Sequence, residues 1–285
     1  MFRDIGVVGQ GCVGVALREG MRRVFEVVTY DLKNPDDLLV YDENDLTYYP
    51  ANNRIGQLVS ETEGPIFICV PTPMGPNCAC DTSIVESVIK DISECTDKQR
   101  IIAIKSTIPP GTTDYLNETY KSLIICFNPE FLTQSNAVED FKNQDRIVLG
   151  GPTEGLNVLK QVYLKAFPNV PIVKTSARIA EMVKYLTNCF LATKVSFANE
   201  IKQICDKLNI NYDRMIEIAT KDNRLGKSHW NVPGECGMLG WGKKCFPKDL
   251  NALIYKAKEL DVDPKVMIAV WEKNLEVRSE RDWEN

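Results

Sequence analysis

The sequence has one histidine, His229, in 285 residues. A single imidazole excludes multi-histidine metal centres and disfavours Ser-His-Asp chemistry, so catalytic work falls to Cys, Lys, Asp or Glu. No apolar run approaches the roughly 18 residues that a membrane-spanning helix needs. No block of five or six basic residues occurs, and the formal charge is -5; nucleic acid and anionic membranes, which need a concentrated positive face, are not expected partners. Met1-Phe2-Arg3-Asp4-Ile5 runs straight into a strand pattern and lacks the apolar core of a signal peptide. Low-complexity segments and internal repeats are absent. With 44% apolar and 26% charged residues, the chain reads as a soluble, cytoplasmic protein of about two folded domains.

Cysteine, by contrast, is plentiful, with ten residues. In a chain that is neither short nor secreted, these are expected to be mostly small buried hydrophobes, with one or two reactive thiols. Cys78 and Cys80 have C-x-C spacing but no second ligand pair, so no metal site is expected.

The clearest passage is the first thirty residues. Ile5-Gly6-Val7-Val8 reads as a buried strand. Gly9-Gln10-Gly11-Cys12-Val13-Gly14 opens a helix to about Arg23, and Phe25–Tyr30 is a second strand ending at Asp31. A G-x-G-x-x-G between strand and helix, with an acid about 20 residues on, is the pattern of a dinucleotide site. Gly9 permits the turn, Gly11 lets backbone approach a pyrophosphate, and Gly14 allows close helix–strand packing. The helix N-terminus faces the phosphates and Asp31 the adenosine ribose, which favours NAD over NADP.

Further strands are expected at Pro65–Val70, Arg100–Lys105, Leu123–Phe127 and Arg146–Leu149, alternating with helices. That order implies a parallel, doubly wound sheet of Rossmann type. Its carboxyl edge would carry Val70-Pro71-Thr72-Pro73, Ser106-Thr107-Ile108-Pro109-Pro110-Gly111-Thr112 and Asn128-Pro129-Glu130-Phe131-Leu132. Ligands bind at that edge, so Val70, Pro71, Thr72 and Thr107 join Gly9, Gly11, Cys12, Val13, Gly14 and Asp31 as expected cofactor contacts.

After Thr175 the texture turns helical, giving expected domains at 1–175 and 176–285. Ser176 can cap a helix reaching about Leu208, long enough to join domains or support a dimer. Lys184 and Asn188, at i and i+4, share one of its faces. Shorter helices follow near Tyr212–Lys221, Pro247–Leu260 and Pro264–Arg278, the last two with proline read as their first helical residue.

Gly240-Trp241-Gly242-Lys243-Lys244-Cys245-Phe246-Pro247-Lys248-Asp249 concentrates the chemistry of this half. Cys245 lies at a helix start among lysines, where a thiolate is favoured. A buried structural cysteine fits that position equally well on local grounds.

The glycine motif with Asp31, Val-Pro-Thr-Pro, Ser-Thr-Ile-Pro-Pro-Gly-Thr, Asn-Pro-Glu-Phe-Leu, the run Lys184 to Glu200, Arg224-Leu-Gly226 and Cys245-Phe-Pro-Lys-Asp249 occur in order over residues 1 to about 275. Together they resemble the nucleotide-sugar 6-dehydrogenases (the UDP-glucose/GDP-mannose dehydrogenase family), with Asn188–Glu200 leaning toward the UDP-glucose branch. The resemblance implies oxidation of a sugar C6 alcohol to a carboxylate with NAD, through an aldehyde, a cysteine thiohemiacetal and a thioester. By matching position, Cys245 would be the nucleophile, and Lys184 with Asn188 would stabilise the oxyanion. Asp249 would position water, and Glu130 with Thr107 would relay protons. Glu130, Phe131, Leu132, Lys184, Asn188 and Gly242 would contact substrate, joined by Arg224 across a homodimer interface.

The chain departs from the family pattern at Lys243, where a second glycine is usual and which Lys244 follows, and at Thr133-Gln134, which replace a charged pair. Family members also continue into a third, nucleotide-holding domain, so a short form without it is expected. Two other readings stay open. One is a non-catalytic, NAD-binding homologue dependent on a partner. The other is a single-step 3-hydroxyacid dehydrogenase, which also uses Lys and Asn at i and i+4 but has no need of Cys245.

Asp31 should repel a ribose 2'-phosphate. NAD+ is expected to bind at least about a hundredfold more tightly than NADP+, each ~1.4 kcal/mol being tenfold. Fluorescence titration with both dinucleotides checks this, and equal affinities would remove Asp31 from the ribose site.

Overall fold

The computed structural model describes residues 2–31, 33–41, 46–50 and 54–284. The chain opens with β1 (Asp4–Val8), α1 (Cys12–Met21), β2 (Glu26–Asp31), β3 (Asn34–Tyr41), β4 (Leu46–Pro50), α2 (Arg54–Glu61), β5 (Ile66–Ile68) and α3 (Ser83–Glu94). It continues through β6 (Arg100–Ile104), α4 (Thr112–Thr119), β7 (Leu123–Phe127), α5 (Ala137–Lys142), β8 (Ile147–Gly150), α6 (Thr153–Ala166) and β9 (Ile172–Thr175). Among the described residues the strands form one sheet in the order β4-β3-β2-β1-β5-β6-β7-β8-β9. From β2 to β7 every pairing is parallel.

The strands are short apolar runs because both faces are covered. Ile66, Ile68, Ile102 and Ile104 feed one core, and Ile5, Val7, Phe67 and Ala103 the other. The order in which strands are added reverses between β1 and β5, and this switch point is where a doubly wound sheet opens its ligand crevice. The Rossmann-type sheet followed by a helical region led by a long helix is as the sequence implies.

The sheet is nevertheless mixed rather than wholly parallel. β3 and β4 form an antiparallel hairpin on the edge of β2, and β8 meets β7 antiparallel through Phe127 and Gly150. Neither the hairpin nor β9 stands out in the sequence. Asn34-Pro35-Asp36-Asp37 has loop chemistry, and its strand state comes from a free sheet edge next to it.

The helical region begins with α7 (Ala177–Lys207), a 31-residue helix whose Ser176 hydroxyl accepts the Ile179 amide. Beyond it lie α8 (Tyr212–Ala219), a 3-10 turn at Asn223–Leu225, α9 (Cys245–Glu259) and α10 (Lys265–Val277). The expected starts at Pro247 and Pro264 shift. Helix α9 begins at Cys245, with Pro247 two residues inside, and Pro264 is the N-cap of α10. The first amides of a helix have no intrahelical acceptor, so proline is tolerated throughout that turn.

Two compact units result: Met1–Thr72 with Asp81–Lys184, and Pro73–Cys80 with Tyr185–Asn285. The division thus falls inside α7, after its first turns, whereas the change in sequence texture stands at 175/176. In the second unit, Cys189, Ala192 and Val195 of α7 pack with Trp241, Leu250, Ile254 and Val270. Tyr212, Trp230 and Val232 close a smaller cluster with Ala198 and Cys205.

Only Cys69, Cys126, Cys189 and Cys205 are buried, while Cys12, Cys78, Cys95, Cys236 and Cys245 are exposed and Cys80 is intermediate. The expectation of mostly buried cysteines is therefore corrected. The exposed ones lie at helix termini and in loops, where chain geometry rather than side-chain hydrophobicity decides exposure.

Gly150 fixes how closely α7 approaches the sheet. A Cβ there would lie 2.5 Å from the Ala180 Cβ and 2.8 Å from the Ser176 carbonyl oxygen. Backbone cannot yield cheaply, so Gly150→Ala is expected to destabilise the protein by about 1–3 kcal/mol. Urea denaturation measures this.

Candidate active site

The phosphate loop is built as its glycines require. Gly9 has φ +94°, and a Cβ on it would meet the Cys69 carbonyl oxygen at 2.6 Å. A Cβ on Gly14 would lie 1.8 Å from the Gly9 oxygen, whereas one on Gly11 would meet nothing within 4 Å. Gly11 therefore leaves open space at the N-terminus of α1, where Cys12 and Val13 are the first helical residues. Asp31 closes the loop from β2: its Oδ2 accepts the Gln10 amide at 2.6 Å and its Oδ1 the Lys33 amide at 2.7 Å. Open backbone space, the N-terminus of α1 and an acid at the end of β2 fit a dinucleotide's pyrophosphate and ribose. Nearby, Val70, Thr72 and Thr107 are buried and Pro71 is exposed, and the Ser106 hydroxyl donates to the Val70 carbonyl at 2.7 Å.

The first unit also brings Glu130 and Lys184 together. Lys184 Nζ donates to Glu130 Oε1 and to the Glu130 carbonyl, both at 2.7 Å, while Oε2 accepts the Leu132 amide at 2.7 Å. Both side chains are nearly shielded from solvent, at 4% and 10% exposure. Burial alone would raise the Glu130 pKa, but the Lys184 charge, these hydrogen bonds and Lys105 hold it below the usual carboxylate range. Phe131 lies beneath cations, with Arg146 at 4.2 Å and Lys184 at 5.8 Å from its ring centre. The Thr133-Gln134 departure is held by main-chain contacts: the Thr133 amide donates to Asp140, and the Gln134 carbonyl accepts Cys12 Sγ at 3.7 Å.

Sequence reasoning missed a polar network under this corner. Lys105 Nζ donates to Asn128 Oδ1 at 3.1 Å and to the Asn128 carbonyl at 3.3 Å; the Tyr163 hydroxyl donates to the same Oδ1, and Asn128 Nδ2 to the Val148 carbonyl. Burial pulls Lys105 down to about 8, against the facing Cys69 and Glu130 and aided by Lys184. A cavity of about 500 Å³ opens here, lined among others by Lys105, Glu130, Phe131, Leu132, Asn136 and Arg146. The available signal was a lysine closing an apolar strand.

In the second unit Asp249 is the hub. It is 1% exposed, accepts Asn188 Nδ2 at 2.6 Å on one oxygen and pairs with Lys248 on the other. Burial lowers the Lys248 pKa, but Asp249, Cys80 and Cys245 outweigh it and hold the ammonium charged. Cys245, exposed, is the first residue of α9, one turn before Lys248 and Asp249 on the same helical face.

The loop leading to Cys245 is anchored along its length. Asn199 accepts the Gly240 amide, Asn274 pairs with both main-chain groups of Trp241, and the indole donates to Ser196 at 2.9 Å. Gly242 packs so closely that a Cβ would lie 2.2 Å from Asp282 Oδ1. Lys243 has φ +59°, a left-handed conformation that costs a non-glycine residue about 1 kcal/mol.

Arg224 stands differently. Its 89%-exposed side chain pairs with Asp222. Among the other thiols, burial pushes Cys69 and Cys126 up to about 12 and raises Cys189 further. Cys236 moves the other way, its sulfur accepting Arg278 Nη1 at 3.3 Å.

Residues 3–167 match the NAD binding domain of the UDP-glucose/GDP-mannose dehydrogenase family, and residues 178–276 match its central domain. A UDP-glucose 6-dehydrogenase of Rickettsia bellii is 37% identical over 217 residues, spanning 74% of this chain and 49% of that protein. One of Bacillus subtilis is 30% identical over 272 residues, spanning 92% and 56%. The chain thus spans about half the length of these relatives. Among solved structures, a UDP-glucose dehydrogenase of Pyrobaculum islandicum superposes with a TM-score of 0.83 at 28% identity, over 97% of this chain and 68% of that one. A 3-hydroxyisobutyrate dehydrogenase of Mycobacterium tuberculosis shares the fold at 13% identity, with a TM-score of 0.73 over 99% and 97%.

Lys184→Met would leave the Glu130 carboxylate buried and unpaired, and is expected to cost about 3–5 kcal/mol. Because the folded Glu130 pKa is depressed, its contribution is fully present above the unfolded value and is lost as pH falls through the folded one. The gap between wild type and variant should therefore narrow in acid. Urea denaturation at pH 7 and near pH 4 checks both statements.

Proposed function

The chain belongs to the UDP-glucose/GDP-mannose dehydrogenase family, and from that premise we propose that it oxidises the C6 alcohol of a nucleotide sugar, UDP-glucose first among them, to the carboxylate. The observation that carries this reading is the start of α9, where Cys245 heads the helical turn that presents Lys248 and the Asn188-bound Asp249. A single-step hydroxyacid dehydrogenase has no use for that arrangement. A partner-dependent binding protein would not need the acid held in this way either.

NAD+, held at Gly9, Gly11, Cys12, Val13, Gly14 and Asp31, would supply the hydride acceptor for both oxidations. The chain's own residues do the rest. Glu130, with Thr107, moves the proton released from the C6 hydroxyl, and the buried Lys184 ammonium opposes negative charge growing on O6. Such a charge is worth more against the transition state than against the neutral alcohol.

The Cys245 sulfur adds to the aldehyde carbon and the carbonyl oxygen gains a proton, giving a thiohemiacetal. The positive end of α9 favours both the thiolate and that oxygen's transient charge. After the second oxidation the sulfur holds a thioester. Asp249, fixed by Asn188 and Lys248, orients the water that attacks it; the C–S bond breaks and the carboxylate leaves. Phe131, Leu132 and Gly242 are the further residues that the family resemblance gives to the sugar.

The reading includes a homodimer. Leu186, Phe190, Phe197 and Ile204, all exposed, recur at helical spacing along α7, with Leu208 just past its end, and form an apolar stripe that a second copy would cover. Arg224, exposed and paired with Asp222, is the residue that the partner copy would offer to the substrate.

With UDP-glucose and NAD+, wild type is expected to release NADH. Cys245→Ser should lose steady-state release by on the order of 10²-fold or more while keeping NAD+ affinity, since the phosphate loop is untouched. Near-normal turnover in Cys245→Ser would overturn the covalent reading and favour a single-hydride dehydrogenase.

A further inference from the structure

Glu181 is a buried acid that the reaction scheme leaves unused. It sits on α7, one turn before Lys184, and is fully shielded from solvent. Its carboxylate reaches across to the start of α4: Oε2 accepts the Gly111 amide at 2.6 Å, and Oε1 accepts the Thr113 amide at 2.9 Å and the Thr113 hydroxyl at 2.6 Å. Gly111, the N-cap of α4, has φ +100° and supplies no side chain of its own. The cap that this helix lacks locally is delivered from α7, and a carboxylate at a helix N-terminus is doubly favoured, by hydrogen bonding and by the dipole. Burial lifts the Glu181 carboxyl above its usual range while these donors pull it back.

The consequence concerns geometry at the proposed site. The segment Ser106–Gly111, which carries Thr107, ends at the amides that Glu181 holds. Lys184 follows Glu181 by three residues on the same rigid helix. An exposed Arg178–Asp114 pair joins the same two helices, but at 70% and 41% exposure it is worth little. We propose that Glu181 is the positioning residue of the site, locking the register of α7 against α4 so that Lys184 meets Glu130 and the Thr107 loop keeps its place. The role assigned to Lys184 rests on the function proposed above; the placement of Lys184 does not.

The substitution that separates these is Glu181→Gln. The amide keeps the shape, but its NH2 group would face donors where the carboxylate offers an acceptor. Lysine footprinting of the full chain with N-hydroxysuccinimidyl acetate, read by peptide mass spectrometry, reports position without needing activity. In wild type, Lys184 and Lys105 are both buried and should be protected. In Glu181→Gln, acetylation of Lys184 should rise about tenfold while Lys105, on β6's carboxyl side, stays protected. Glu181→Asp, which keeps the charge but shortens the reach, should fall between.

In turnover, Glu181→Gln should lower kcat with the KM for NAD+ unchanged within about twofold. Protection of Lys184 in Glu181→Gln equal to wild type, or wild-type kcat, would overturn the assignment. Loss of protection at Lys184 and Lys105 together would overturn it too, by making Glu181 a stabiliser of the whole unit. Should wild type release no NADH while the footprint shifts as expected, the positioning stands and the dehydrogenase reading fails.

Discussion

The Glu130–Lys184 ion pair is the contact on which the arrangement of the sheet unit turns. Taking both charges out of water costs several kcal/mol per ion, and only close geometry with further hydrogen bonds offsets that. Here the geometry is close: one ammonium meets the carboxylate and the carbonyl of the same residue, and the second carboxylate oxygen takes the Leu132 amide. A buried pair of this kind contributes little net stability but tolerates few alternatives. It therefore acts as a register mark between the loop after β7 and the helix α7. The glycine at 150 and the Glu181 clamp on α4 serve the same end, because each fails if α7 slides or rotates by a fraction of a turn.

The second unit solves a related problem with neutral groups. The stretch Gly240–Lys244 before Cys245 contains two glycines and a left-handed lysine, so little in its own backbone preference holds it. Side chains from α7 and α10, Asn199, Ser196 and Asn274, satisfy its main chain and the Trp241 indole instead. Asp249 is fixed on both oxygens, which suits the water-orienting role proposed for it. The placement of the loop before Cys245 thus rests on amide and hydroxyl partners contributed from far along the chain.

Much of this was legible in the sequence, for identifiable reasons. The buried strands and the amphipathic α7 announce themselves by local periodicity, and the phosphate loop by glycines that only a tight turn and close packing require. Cys245 could be placed at a helix start from the proline two residues on. What stayed hidden depends on partners distant in sequence. The β3–β4 hairpin needs the free edge of β2, since its first residues have turn chemistry. Lys105 and Asn128 directly follow β6 and β7, Tyr163 lies on α6, and the three become a network only when β6 and β7 pair and α6 packs on them. Glu181 looks like any polar position of a long helix until the uncapped α4 N-terminus lies against it.

What distinguishes the proposed chemistry from every alternative is that one active-site thiol carries the sugar carbon through two oxidation levels before water releases it. The measurement closest to that claim is the stoichiometry at completion: limiting UDP-glucose, excess NAD+, NADH counted by absorbance and the sugar identified by mass spectrometry. The account predicts two NADH and one uronate for each UDP-glucose consumed, with no aldehyde accumulating. One NADH per sugar, with the aldehyde as the end product, would contradict it.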